Sequence, residues 1–177
     1  MASVCIEEHI LDVVDYPKPG IVFKDISPLL ADHAAFTATV DALAAVGRAA
    51  DGAVVVDKVL GMEARGFILA APVALALGVG FVPVRKAGKL PRDVHATTYA
   101  LEYGEATLEL HTDAVAPGER VLLVDDVLAT GGTLDASRRL VEQCGGTVAG
   151  VAVLMELGFL PGRTTLGDLP VTSLLTV

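Results

Sequence analysis

The chain has 177 residues, 53% of them apolar, and a mean hydropathy of +0.59, which suits one domain with a sizeable core and excludes a disordered, solvating chain. Lys and Arg number 13 against 22 Asp and Glu, a net charge of −9 and the wrong sign for a general nucleic-acid binder. Two cysteines, Cys5 and Cys144, exclude a disulfide scaffold and are too few for a zinc cluster, so a reducing, cytoplasmic location is expected.

The first ten residues carry Glu7 and Glu8 and no apolar run, unlike a secretory signal. An amphipathic helix is expected near residues 34–48. It precedes a β-branched run at residues 53–56, the first strand candidate, then a loop and helical material over about 64–77. From Phe67 to Val84 no residue is charged, a stretch close to membrane-span length. Pro72, Gly78, Gly80 and Pro83 interrupt it, and the reading is a buried helix ending near Gly78 followed by a second strand at 81–84, with no membrane association. Residues 85–92 then gather Arg85, Lys86, Lys89 and Arg92. Alternating patterns at 98–103 and 107–110, with Gly104 and Glu105 between them, predict a hairpin standing outside the sheet, as a lid or binding loop would. A third strand is expected at 121–124, a helix over about 131–144 and a fourth strand at 148–154. Continuous apolar strands alternating with helices predict an α/β fold, a mostly parallel central sheet flanked by helices.

The most informative stretch follows the third strand. A buried run ends at the adjacent carboxylates Asp125 and Asp126, and the loop Ala129, Thr130, Gly131, Gly132, Thr133 opens a helix. Thr130 is the expected N-cap, Leu134, Ser137, Leu140, Val141 and Cys144 share one helical face, and Gly145 with Gly146 ends the helix. First-turn N–H groups and the helix macrodipole favour an anion there, and the two glycines let backbone approach a phosphate. The carboxylates would repel phosphate but accept hydrogen bonds from sugar hydroxyls. Phosphate donors beside diol acceptors describe a cradle for ribose 5-phosphate. A dinucleotide fingerprint would need G-x-G-x-x-G directly after the strand, which is absent. A phospho-receiver would not need the Thr-Gly-Gly-Thr that follows the acids, and the plain alternative is an ordinary β-to-α turn.

Asp125 and Asp126 followed by Ala129 to Thr133 resemble the phosphoribosyl-pyrophosphate signature of the type I phosphoribosyltransferases. Four further stretches, residues 16–26, 61–67, 84–91 and 101–104, lie in order and narrow the resemblance to the adenine-specific branch of that family. Together the five cover residues 16–156; the first fifteen and last twenty residues add little. The resemblance implies a single domain over 1–177, with an N-terminal hood near 1–32 and a lid hairpin near 86–111. It implies transfer of the 5-phosphoribosyl group from 5-phosphoribosyl-1-pyrophosphate to adenine, giving AMP and pyrophosphate, with Mg²⁺ carried mainly by the substrate and no metal ligand assigned on the protein.

Further roles follow from the same resemblance. Ala129, Thr130, Gly131, Gly132 and Thr133 hold the 5′-phosphate, and Asp125 and Asp126 hold the ribose hydroxyls. Arg65, Arg85, Lys86 and Lys89 bind pyrophosphate, Arg65 as the bidentate contact and the lysines as point charges. A solvated basic loop is the plain alternative for 85–92, and Arg92, past the motif, is expected at the surface. Part of that loop serves the neighbouring subunit's site in the family, which implies a homodimer. Gly61 to Gly66 form the pyrophosphate loop, with a cis peptide expected at Glu63–Ala64. Glu102 handles the purine N7 proton and Tyr103 covers the site. Val22, Phe23 and Lys24 read adenine, Phe23 against the ring and backbone groups along the base edge. Hypoxanthine-type relatives carry Glu-Asp and a further Asp where Asp125, Asp126 and Ala129 stand here, which favours adenine.

Lys24 replaces a common arginine and Met62 a common leucine, while Val94, His95 and Ala96 match no family pattern. His9, His33, His95 and His111 lack metal-ligand spacing. A phosphoribosyltransferase for another purine, or a non-catalytic purine-nucleotide sensor, is the alternative. The sensor usually carries a DNA-binding module for which 177 residues leave no room.

Overall fold

The computed structural model describes residues 5–100 and 104–177. Contacts divide the chain at Ala42/Leu43 into two compact units. The first holds a two-stranded antiparallel ribbon, β1 (Leu11–Val14) and β2 (Val22–Asp25), with Leu11 opposite Asp25 and Val14 opposite Val22. Helix α1 (Ser27–Ala31) follows, with Pro28 in its first turn, where a missing N–H costs nothing. The unit boundary falls inside α2 (His33–Ala45).

The second unit contains β3 (Lys58–Met62), α3 (Arg65–Leu77), β4 (Gly80–Lys86), β5 (Val94–Ala100), β6 (Glu105–His111), β7 (Arg120–Leu128), α4 (Gly132–Gln143), β8 (Thr147–Glu156), α5 (Gly162–Leu166) and β9 (Val171–Thr176). Among the described residues these strands make one sheet in the order β5-β6-β4-β3-β7-β8-β9, parallel from β4 through β9. The expected α/β class is what forms. Residues 121–124 of β7 are all buried because helices cover both faces of the sheet. Val121 and Leu123 pack with Leu134, Leu140 and Val141 of α4, while α3 lies against β3, β4 and β7. The uncharged stretch resolves as expected: α3 runs through Pro72 and ends at Gly78 in the left-handed conformation (φ +72°), and β4 follows. No helix among the described residues is long and apolar enough to cross a membrane.

Two expectations are corrected. Residues 53–56 are not a strand; they make a single bridge, Arg48 to Val54, and the Val55 amide donates to the Gly47 carbonyl at 3.0 Å. The first strand of the second unit is β3, whose Gly61 disguises it in sequence. A Cβ at Gly61 would stand 2.6 Å from the Ala70 methyl and 3.0 Å from the Phe81 ring, so the glycine is what lets α3 lie close on the sheet. The hairpin of β5 and β6 does not stand apart. It continues the sheet through β6, which pairs antiparallel with β4 at Arg85↔Glu109 and Lys86↔Leu108. Leu108 and Leu110 give β6 a core-facing side, which packs in one cluster with Leu134, Leu140 and Val141 of α4. The unplaced Val94, His95 and Ala96 are the start of β5, opposite His111, Leu110 and Glu109.

Candidate active site

In an open parallel sheet, ligands bind beyond the carboxyl ends of the strands where strand order reverses. Here β3 is followed on one side by β4 and on the other by β7, so the reversal lies between β3 and β7. The expected pyrophosphate loop follows β3, the basic loop follows β4, and the expected phosphate loop follows β7. Residues far apart in sequence are thereby brought to one edge of the sheet.

Strand β7 continues to Leu128, so Asp125 and Asp126 lie within it and not at its end. The N-cap of α4 is Gly131 at φ +85°, not Thr130, and no side chain caps the helix. A left-handed turn there is open to glycine and strained for threonine. The uncapped first turn leaves its N–H groups for an external acceptor. Residues 127–134 line a cavity of about 60 Å³. The predicted apolar face of α4 is buried at Leu134, Ser137, Leu140, Val141 and Cys144.

The paired acids are differentiated by their surroundings. Buried Asp126 accepts a hydrogen bond from Arg65 Nε, which ties the loop after β3 to the acid of β7. Asp125 Oδ1 accepts the Asp126 amide at 2.9 Å, and Gly66 backs it so closely that a Cβ there would stand 2.7 Å from that oxygen. Burial, then the neighbouring Asp126 charge, pushes the Asp125 carboxyl well above the usual carboxylate range. Of the expected pyrophosphate residues, Arg65 is therefore set against the expected ribose acids, its side chain about half exposed.

The other three expected pyrophosphate residues converge on Glu63, a nearly buried carboxylate that sequence reading gave no role. Its Oε2 accepts from Arg85 Nε at 3.2 Å and from the Lys86 amide at 3.0 Å, and its Oε1 accepts from Lys89 Nζ. The Lys89 ammonium first, with the Lys86 amide and the Arg85 guanidinium, lowers the Glu63 carboxyl to about 2 despite its burial. The peptide bond Glu63–Ala64 is cis, as expected. A lone acid inside a glycine-flanked loop was the available signal, but no spacing rule links it to cations more than twenty positions later. Arg92 is exposed and pairs with exposed Asp113, consistent with a surface role.

In the first unit, Phe23 stacks edge-on with Tyr16 at 5.2 Å between centroids, and both line an apolar depression of about 260 Å³ with Val13 and Asp25. Lys24 Nζ pairs with Asp12 at 2.6 Å across the ribbon, and Val22 is half exposed. Glu102 and Tyr103 lie outside the described residues. Among the described residues no cluster of three His, Cys, Asp or Glu could hold a metal ion.

The family described as phosphoribosyl transferase domain matches residues 30–163. The chain is 73% identical over 168 residues to an adenine phosphoribosyltransferase of Nocardioides sp., covering 95% of this chain and 91% of the relative. A crystal structure of adenine phosphoribosyltransferase from Thermoanaerobacter pseudethanolicus superposes with a TM-score of 0.91 at 48% identity, covering 97% of this chain and 98% of that one. The Saccharomyces cerevisiae adenine phosphoribosyltransferase, complexed with D-2,5-dideoxy-2,5-imino-altritol 1,6-bisphosphate and adenine, gives a TM-score of 0.91 at 40% identity over 96% of both chains.

Proposed function

This chain belongs to the phosphoribosyl transferase family, in its adenine phosphoribosyltransferase branch, and on that premise we propose how its residues carry the reaction. The activity is transfer of the 5-phosphoribosyl group from 5-phosphoribosyl-1-pyrophosphate to adenine, with AMP and pyrophosphate as products. The bond from ribose C1 to the pyrophosphate oxygen breaks, adenine N9 bonds to C1, and the proton leaves through the base.

The 5′-phosphate is taken by the uncapped first turn of α4 and the hydroxyls of Thr130 and Thr133, with Ala129, Gly131 and Gly132 giving close backbone approach. This left-handed glycine turn after the paired acids is the observation that carries the reading. Asp125 and Asp126 receive the ribose hydroxyls, and the carboxylate of Asp126 favours a sugar that turns cationic in the transition state. Arg85 and Lys89, whose side chains gather around Glu63, Lys86, whose amide does, and Arg65 supply positive charge for the leaving pyrophosphate. Glu102 takes the purine N7 proton, Tyr103 covers the site, and Phe23 packs on the adenine ring while backbone at Val22 and Lys24 reads its edge. An acceptor facing N6 and a donor facing N1 suit adenine, and hypoxanthine reverses both.

Mg²⁺ arrives on the substrate. A hard cation of this kind binds well through phosphates and water. A cytoplasmic homodimer completes the reading; Cys5, exposed, and Cys144, buried, are both free thiols, as a reducing compartment favours. The test is AMP formation from adenine, hypoxanthine or guanine with the activated ribose phosphate, with and without Mg²⁺, alongside sedimentation for the dimer. Turnover confined to adenine and lost on chelation is expected. Equal use of hypoxanthine would overturn the base assignment.

A further inference from the structure

Two side chains outside the phosphate loop hold it, and neither belongs to the motif. From α5, Thr165 Oγ1 donates to the Thr130 carbonyl at 2.7 Å. Around that bond the two segments meet backbone to backbone. A Cβ on Gly131 would stand 2.7 Å from the Gly162 carbonyl oxygen and 2.9 Å from Thr165 Cβ, and a Cβ on Gly162 would stand 2.4 Å from the Ala129 oxygen. From β5, the Tyr99 hydroxyl lies 3.0 Å from Thr133 Oγ1, and a Cβ on Gly132 would stand 2.9 Å from the Tyr99 ring. Each of residues 130–133 is thus braced by α5 or by Tyr99.

We infer that Thr165 and Tyr99 are positioning residues of the 5′-phosphate seat, which aim its donors before substrate arrives. In a planar trans peptide the C=O and the following N–H point in opposite directions. Fixing the Thr130 carbonyl on Thr165 therefore turns the Gly131 N–H away from α5, where an anion can receive it. Either hydroxyl of the Tyr99–Thr133 pair can donate, and with the Tyr99 phenol as donor the threonine proton is left for the same anion. Donors already oriented lower the ordering cost of binding. The inference rests on reading residues 129–133 as the phosphate seat.

The test compares T165V, T165S and Y99F with the parent enzyme, varying each substrate in turn. Loss of one neutral hydrogen bond from the seat should raise KM for 5-phosphoribosyl-1-pyrophosphate about fivefold in T165V and in Y99F. Binding lost equally from ground and transition states leaves kcat unchanged, and KM for adenine should also hold. T165S keeps the hydroxyl and should restore the parent value. A purely structural role would lower kcat through the active fraction without moving KM, and that result would overturn the inference. If T165V does not fold, Y99F, which removes one oxygen from a half-buried side chain, decides alone. In the parent protein, titrated ribose 5-phosphate should shift the amides of Gly131, Gly132 and Thr133. Shifts there with unmoved KM in the variants sink this inference only; ribose 5-phosphate that binds without shifting them sinks the phosphate seat itself.

Discussion

Replacing Gly66 by alanine adds one methyl group behind the ribose acids. The new Cβ would meet Asp125 Oδ1 at 2.7 Å and the Val124 carbonyl at 3.2 Å. The backbone oxygen belongs to a buried central strand, so the carboxylate gives way, retreating by about 0.7 Å to reach ordinary contact. That retreat strains the 2.9 Å bond from the Asp126 amide and moves an acceptor meant for a ribose hydroxyl. Overpacking of this size costs about 1–3 kcal/mol, and alanine's better helix propensity returns up to about 1 kcal/mol. Stability should therefore fall by no more than about 3 kcal/mol, a Tm loss of at most about 6–12 °C at this chain length. Activity should suffer more, because misplacement near 1 Å costs about 10²-fold. The expected result is kcat/KM for 5-phosphoribosyl-1-pyrophosphate reduced about 10–100-fold in a protein still folded at 25 °C. Gly80→Ala is the control, since its nearest neighbour stands 3.8 Å away. Full activity in the Gly66 variant, or a crystal structure of it with Asp125 unmoved, would refute the reasoning.

Glu63→Gln removes the charge that gathers Arg85 and Lys89. The Glu63 carboxyl is held at about 2 against an ordinary 4.5, so its stabilisation is complete above about pH 4.5 and is lost as pH falls toward 2. Acid unfolding of the parent should be steeper across that window than that of the variant, and superimposable curves would remove Glu63 from the account. Leu123→Ala empties a fully buried site in the central strand and should cost about 2–5 kcal/mol, read by urea denaturation; a loss under about 1 kcal/mol would mean the core is not where β7 places it. Glu102→Ala should cut kcat about 10²–10⁴-fold with little change in substrate affinity, as loss of a proton-transfer group does. Undiminished turnover removes it from the mechanism.

The signature at 125–133 could be read from sequence because its parts are neighbours along the chain, and a left-handed glycine turn at a helix start is a local event. The apolar runs at 121–124 and 81–84 were legible for a similar reason: burial on both faces leaves an unbroken β-branched and aliphatic pattern. Residues 53–56 show the same pattern without the strand pairing, only one bridge at Val54, and composition does not distinguish them from β3, whose Gly61 is small to admit α3. Thr130 looked like a helix cap because its side chain can cap; the backbone angle of Gly131 decided otherwise.

The sequence by itself determined the α/β class, the segments that carry the chemistry and the family. Tertiary structure alone decided which charges meet. Glu63 finds Arg85 and Lys89, and Arg65 finds Asp126, because parallel strands set the ends of β3, β4 and β7 side by side, while Tyr99 reaches the phosphate loop from antiparallel β5 and Thr165 from α5 beyond β8. Such pairings span twenty to sixty positions, where no periodicity acts; they are fixed by strand order and register, and the burial of side chains on both faces of the sheet fixes those.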